Sequence, residues 1–147
     1  MKKYLGIGIV TILLIGFAAC KSRHEVDKVS QVELPTEMID NDWNKALALS
    51  KEKGKPIYIE FYAKWCVYCK KFKQNTLNDD EVKAYLSKHY IPVVMDAEEG
   101  QGIELKKKYD VNGYPTHLIV DTELNQKAVT YGYLKSGPFL EWIKSVK

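Results

Sequence analysis

The sequence is poor in cysteine, in repeats and in any surplus of charge. Three Cys in 147 residues are too few to staple a chain of this length into a disulfide scaffold. No segment recurs, which excludes a repeat array, and a hydrophobic content of 46% excludes a collagenous or disordered polymer. Basic and acidic side chains nearly balance, at 22 against 19. Once Lys2 and Lys3 leave with an N-terminal leader the balance is 20 to 19, so no nucleic-acid footprint is expected. The three His residues, His24, His89 and His117, are scattered singly and lack the paired spacing of a zinc site. No metal is expected. The uncharged run from Tyr4 to Ala19 has 16 residues, short of the roughly 20 that span a bilayer as a helix.

That run is what the N-terminus does have. Lys2 and Lys3 precede it, the small pair Ala18-Ala19 ends it, and this is the layout of a secretory signal, with a permanent transmembrane anchor as the alternative. The segment Phe17-Ala18-Ala19-Cys20 resembles the lipobox of bacterial lipoproteins, with Phe17 where that family usually has Leu. The resemblance implies cleavage before Cys20 and acylation of its sulfur; a plain signal peptide followed by an incidental Cys is the alternative. More than one acyl chain is the condition for stable anchoring, so the mature protein is expected on a membrane surface. Residues 1–19 then form the signal peptide. Residues 20–38, mixed in charge and carrying Pro35, read as a flexible tether after the acylated Cys. Residues 39–147 remain for one domain.

Within that domain, Asp40 or Asn41 offers a helix N-cap, Trp43, Ala46, Leu47 and Ser50 share a helical face, and Gly54 offers a stop. Ile57–Tyr62 is β-branched and aromatic on both faces apart from Glu60, the pattern of a buried central strand. From Ala63 to Phe72 the period changes from strand to helix and places Cys66 near a helix start. A helix capped by Asn78 or Asp79, a strand Ile91–Asp96, a helix near Gln101–Tyr109, strands Thr116–Val120 and Lys127–Tyr131, and a helix near Pro138–Val146 follow. The order αβαβαββα predicts an α/β sheet with helices on both faces and its last two strands antiparallel. Trp43, Phe61, Phe72, Leu86, Leu105, Leu118, Leu140 and Trp142 are the expected core.

The remaining cysteines, Cys66 and Cys69, stand three apart on the first turn of a helix. Such a pair can close a small disulfide or open to a dithiol with little backbone movement. As a staple it would do little, because so short a loop removes little entropy from the unfolded chain. Cys66 would be the attacking thiolate, its sulfur exposed and its acidity raised by the helix N-terminus. Cys69, more buried, would resolve the mixed disulfide. Haem attachment needs a His where Lys70 stands. A purely structural disulfide is the other reading. Lys70, Lys71 and Lys73 read as a solvated face, with added acidity for Cys66 as the alternative.

The stretch Glu60-Phe61-Tyr62-Ala63-Lys64-Trp65-Cys66-Val67-Tyr68-Cys69-Lys70, with Gly113-Tyr114-Pro115-Thr116 some 45 residues later, resembles the thioredoxin family. Within it the wording is most similar to the C-terminal periplasmic domain of the transmembrane disulfide-interchange reductase and to lipid-anchored bacterial thioredoxins. The resemblance, over about residues 40–147, implies the thioredoxin fold, a central mixed sheet with helices on both faces. It implies Cys66 as nucleophile, Cys69 as resolving thiol, and Pro115 as the cis-proline facing them. Glu60 would be the buried carboxyl that takes the resolving thiol's proton, with a pKa raised by desolvation; a solvent-facing strand-edge Glu is the alternative. Trp65, Val67, Tyr68, Tyr114 and Pro115 would contact substrate. Two positions depart from the pattern. Val67-Tyr68 replaces the Gly-Pro of cytosolic thioredoxins, and Lys73 stands where the reductase-domain relatives carry an acidic residue.

The expected function is a thiol-disulfide oxidoreductase acting on exported proteins, a reductase that works through a Cys66–Cys69 mixed-disulfide cycle, and a monomer that needs no metal or organic cofactor. Its electrons would come from a membrane dithiol reductase, because an exported domain lacks cytosolic NADPH. Two rivals remain: an oxidant or isomerase on the same fold, and a non-enzymatic binding module with a permanent disulfide.

Overall fold

The computed structural model describes residues 38–146, so the signal peptide, Cys20 and nearly all of the expected tether lie outside the described residues. Strand β1 (Ile39–Asp40), helix α1 (Trp43–Lys53), β2 (Ile57–Tyr62), α2 (Val67–Phe72), a π-helical turn (Lys73–Leu77), α3 (Asp80–His89), β3 (Ile91–Asp96), α4 (Gln101–Lys108), β4 (Thr116–Val120), β5 (Gln126–Tyr131) and α5 (Ser136–Ser145) follow in order. No helix among the described residues is long and apolar enough to cross a membrane.

The five strands form one mixed sheet in the order β1-β3-β2-β4-β5. Strands β1, β3 and β2 are parallel, and β4 runs antiparallel to both β2 and β5. The central position of β2 explains its apolar sequence: Ile57, Ile59 and Phe61 face a core completed by Trp43 and Ala46 of α1 and Leu105 of α4. Tyr58, on the opposite face, packs with Phe72, Leu77, Val82, Leu86, Phe139 and Ile143. Successive strand residues point to opposite faces, and a strand covered on both faces must be apolar twice over.

The helix ends correct the sequence reading at one point. Asp40 belongs to β1 and Asn41 has φ 50°. The cap is instead Asp42, whose carboxylate accepts the Lys45 N–H at 2.9 Å. Strand β1 has only two residues and escaped notice because no periodicity can be read in so short a segment. Gly54 does close α1, in the left-handed region at φ 62°, and Asp79 rather than Asn78 caps α3 through Glu81 and Val82 N–H. Trp142, expected in the core, is only half-buried; the α5 residues fully inside are Phe139 and Ile143.

Helix α4 approaches the end of β3 so closely that only glycine fits at position 102. A Cβ there would lie 1.8 Å from the Asp96 carbonyl oxygen and 2.6 Å from its carbon, and both are backbone atoms that cannot swing aside. Gly102→Ala is therefore expected to cost about 1–3 kcal/mol of stability, the range of an overpacked interior. Denaturant unfolding checks this, and a loss under about 0.5 kcal/mol, the scale of an ordinary surface substitution, would contradict it.

Candidate functional site

Strand β2 ends at Tyr62, and three residues later the chain turns into α2. Cys66 is the N-cap of that helix, in extended conformation, and its Sγ accepts the Cys69 N–H at 3.0 Å. The two cysteines are disulfide-bonded with their Cα atoms 5.3 Å apart, and both are buried, Cys66 at 4% and Cys69 at 1% exposure. The expectation of an exposed Cys66 sulfur is thus corrected for the oxidised form. The bond turns the Cys66 sulfur inward toward Cys69, and Tyr62 and Tyr114 pack around the pair.

The residues expected to meet a partner chain ring this site. Trp65, Val67 and Tyr68 are exposed at 67%, 60% and 60%, an apolar rim that the rest of the domain does not cover. The Tyr114–Pro115 bond is cis. Pro115 is buried, while Tyr114 is half-buried with its ring edge-on to Trp65 at 5.9 Å. Trp65 Nε1–H donates to Glu98 at 3.0 Å, and Lys106 Nζ donates to the Tyr114 hydroxyl at 2.7 Å. Lys64 pairs with Glu99. The loop after β3 therefore holds the start of the motif in place.

A second set of polar residues supports this loop, and sequence reasoning missed it. Asn41 Oδ1 accepts the Asp96 N–H at 2.6 Å, and Asn41 Nδ2 donates to the Tyr62 hydroxyl at 3.0 Å. Asp96 in turn accepts the Glu98 N–H at 3.0 Å. The signal was the Asp-Asn-Asp run, since Asn tolerates the left-handed conformation that Asn41 adopts.

On β2, six residues before Cys66, stands Glu60, fully buried, with neither carboxylate oxygen in a hydrogen bond among the described residues. Burial pushes its pKa up from the usual 4.5 to about 8, against the downward pull of the Lys73 ammonium. The buried reading of Glu60 holds, and the strand-edge alternative does not. Lys73 corrects the expectation of a solvated lysine face. Lys70 and Lys71 are exposed, but Lys73 is half-buried, its ammonium 3.5 Å from the centre of the Tyr62 ring.

His117, weighed at first only as a scattered zinc ligand, pairs across β4 with Glu60 of β2. It is fully buried, with Nδ1 2.9 Å from the Tyr58 hydroxyl and Nε2 3.1 Å from the Gly132 carbonyl. The carbonyl can only accept, so Nε2 carries the proton and Nδ1 accepts from Tyr58. Burial lowers its pKa from 6.5 to about 4, which keeps it neutral.

These two buried groups give stability opposite pH slopes. Folded Glu60 retains a proton that the unfolded chain releases above 4.5, so its contribution falls as pH rises toward 8. Folded His117 refuses a proton that the unfolded chain binds below 6.5, so its contribution rises between pH 4 and 6.5. Where both act they oppose each other; above pH 6.5 Glu60 acts alone. Unfolding free energy is expected to drop by up to about 2 kcal/mol between pH 6.5 and 8, one pKa unit being worth about 1.4 kcal/mol. Glu60→Gln should abolish that decline. A wild-type profile flat over this window would refute the assignment.

Comparison with known proteins accords with this geometry. A family model described as thioredoxin-like matches residues 37–122. The thiol:disulfide interchange protein DsbD of Vibrio vulnificus strain YJ016 is 32% identical over 134 residues, covering 88% of this chain and 22% of the relative. The chain thus spans about a fifth of the length of that relative. The oxidised C-terminal domain of Neisseria meningitidis DsbD superposes with a TM-score of 0.63 at 25% identity, over 74% of this chain and 99% of that one. A Thermus thermophilus thioredoxin shares the fold, with a TM-score of 0.67 at 22% identity over 74% of this chain and 85% of that one. The family match covers more than half of the 147 residues and both ends of the strand-to-helix junction that carries the cysteines, and the chain belongs to the thioredoxin-like family.

Proposed function

We propose that this protein is a thiol-disulfide oxidoreductase that reduces disulfides in other exported proteins. The observation that carries the reading is the Cys66–Cys69 disulfide at the start of α2, inside a rim of exposed Trp65, Val67 and Tyr68, with the fully buried Glu60 on the strand that leads into it. Similarity to DsbD of Vibrio vulnificus, named as a thiol:disulfide interchange protein, supports the same chemistry.

In the reduced protein the Cys66 thiolate attacks one sulfur of a partner disulfide, and the other partner sulfur leaves as a thiolate that takes a proton from solvent. Cys69 then passes its proton to Glu60, and its thiolate attacks Cys66 Sγ. The Cys66–Cys69 bond forms, the second partner sulfur departs, and two electrons have moved from the dithiol to the partner. An acceptor whose pKa lies near 8 can both take and return a proton near neutrality. The half-buried Tyr114 beside buried Pro115 supports the reading that an incoming chain lies along this edge in extended form, with Trp65, Val67 and Tyr68 supplying apolar contact.

The surroundings of the domain belong to the same proposal. Residues 1–19 direct export, acylated Cys20 anchors the chain to a bacterial envelope membrane, and residues 21–38 give the domain reach on its periplasmic or outer side. A membrane dithiol reductase returns the electrons.

Cys66→Ser is expected to lower disulfide reduction by the full-length protein by at least about 100-fold, the loss typical of a missing nucleophile. Cys69→Ser should accumulate mixed disulfides through Cys66, visible as reductant-sensitive adducts on non-reducing gels. A wild-type pair that resists millimolar dithiothreitol would favour a permanent disulfide and refute the reading. For the anchor, Cys20→Ser should move the protein from the membrane fraction to the soluble one; retention on membranes would exclude lipidation at that residue.

A further inference from the structure

Asn41 occupies the turn between β1 and α1 at φ 50°, a left-handed conformation that Asn adopts more readily than most side chains. Its own N–H donates to the Val94 carbonyl at 2.9 Å, which seats it against β3. Its side-chain amide is fully used. Oδ1 accepts the Asp96 N–H at 2.6 Å, and Nδ2 donates to the Tyr62 hydroxyl at 3.0 Å and to the Asp40 carboxylate at 2.8 Å. The partners dictate which way the amide points. A backbone N–H can only donate and an ionised carboxylate can only accept, so exchanging oxygen and nitrogen would break two of these bonds.

Two routes lead from this amide to the disulfide. The first is direct: Tyr62 ends β2 and packs against Cys66 and Cys69, so the amide that holds its hydroxyl holds one wall of the site. The second runs through the loop after β3. Asp96, whose N–H the amide receives, accepts the Glu98 N–H at 3.0 Å, and Glu98 accepts the Trp65 indole N–H at 3.0 Å. Trp65 is the most exposed of the rim residues, at 67%, and stands next to Cys66. A side chain so open to water depends on a few directed contacts for its place, here the Glu98 bond and the edge-on meeting with Tyr114 at 5.9 Å.

We propose that Asn41 is a positioning residue for disulfide exchange, whose amide fixes the Tyr62 wall and the Trp65 rim relative to each other and thereby sets how tightly a partner chain docks. Its effect falls on binding rather than on the sulfurs, because the Cys69 N–H to Cys66 Sγ bond that caps α2 does not involve it. The loop keeps other ties without the amide: the Ala97 N–H donates to the Tyr62 carbonyl at 2.9 Å, and Lys64 pairs with Glu99. Losing Asn41 therefore costs the placement of Trp65 and not the fold. This role deepens the proposed exchange activity and rests on it, whereas the placement of Trp65 can be read without any partner.

The test uses Asn41→Gly in the full-length protein, because glycine accepts the left-handed backbone and removes only the amide. By nitrogen-15 NMR the Trp65 indole N–H signal, told from those of Trp43 and Trp142 by Trp65→Phe, is expected to shift toward that of a free indole. In reduction of insulin driven by dithiothreitol, KM for insulin should rise about three- to tenfold, the worth of one lost hydrogen bond, with kcat and the Cys66–Cys69 potential unchanged. Glu98→Ala cuts the second route further along and should raise KM as well, and the double variant should do no more than Asn41→Gly alone. Asp42→Ala, which removes the α1 cap one residue later, controls for lost stability and should leave KM at the wild-type value. The proposal is overturned by a Trp65 signal that does not move in Asn41→Gly, by an unchanged KM, by effects of Asn41→Gly and Glu98→Ala that simply add, or by an equal rise in Asp42→Ala. A wild-type pair that resists dithiothreitol would instead sink the proposed function; the Trp65 signal still reports on Asn41 in that case, so the two failures are told apart.

Discussion

The constraint on which the rest depends is the placement of β2, paired on both edges and covered on both faces. That placement makes the strand rigid enough to present the turn at Ala63–Cys66 in a fixed position, and it buries whatever its side chains are. Five of its six residues are apolar or aromatic; the sixth is Glu60. An isolated carboxylate in such a position would cost several kcal/mol, so the group is held mainly as the neutral acid, with a pKa of about 8. The position that is least suited to a carboxylate for stability is the one suited to moving a proton near neutrality.

The site is assembled at the ends of three adjacent strands. β2 and α2 supply the cysteines and the rim. The turn before β4 brings Tyr114 and Pro115 beside them, and the loop after β3 fixes Trp65 and Lys64 through Glu98 and Glu99. Gly102 lets α4 close onto that loop. Exposed pairs such as Lys64 with Glu99 contribute little energy; their use here is to help orient the exposed rim, alongside the edge-on contact of Trp65 with Tyr114.

Much of this was legible in the residues. The apolar run Ile57–Tyr62, the change of period after it and the cysteines at 66 and 69 located the junction, and the likeness to thioredoxins placed Glu60 and Pro115 before any coordinates. What escaped had physical reasons. A two-residue strand has no period. Asn41 is a bridging residue whose partners, Asp96 and Tyr62, lie 55 and 21 positions away, and no local pattern records such a contact. Lys73 read as surface because lysine usually is, yet a long stem lets its charge reach inward along Tyr62. His117 read as a stray imidazole until the register of β4 set it opposite Glu60.

The account stands on Cys66–Cys69 being a reversible donor couple rather than a permanent link or an oxidant. The measurement that tests this most directly is the equilibrium reduction potential of the pair in the full-length protein, taken against glutathione or dithiothreitol with thiols trapped. The account predicts a potential close to that of thioredoxin, about −270 mV, and a potential near about −120 mV, the range of a strong oxidant, would contradict it.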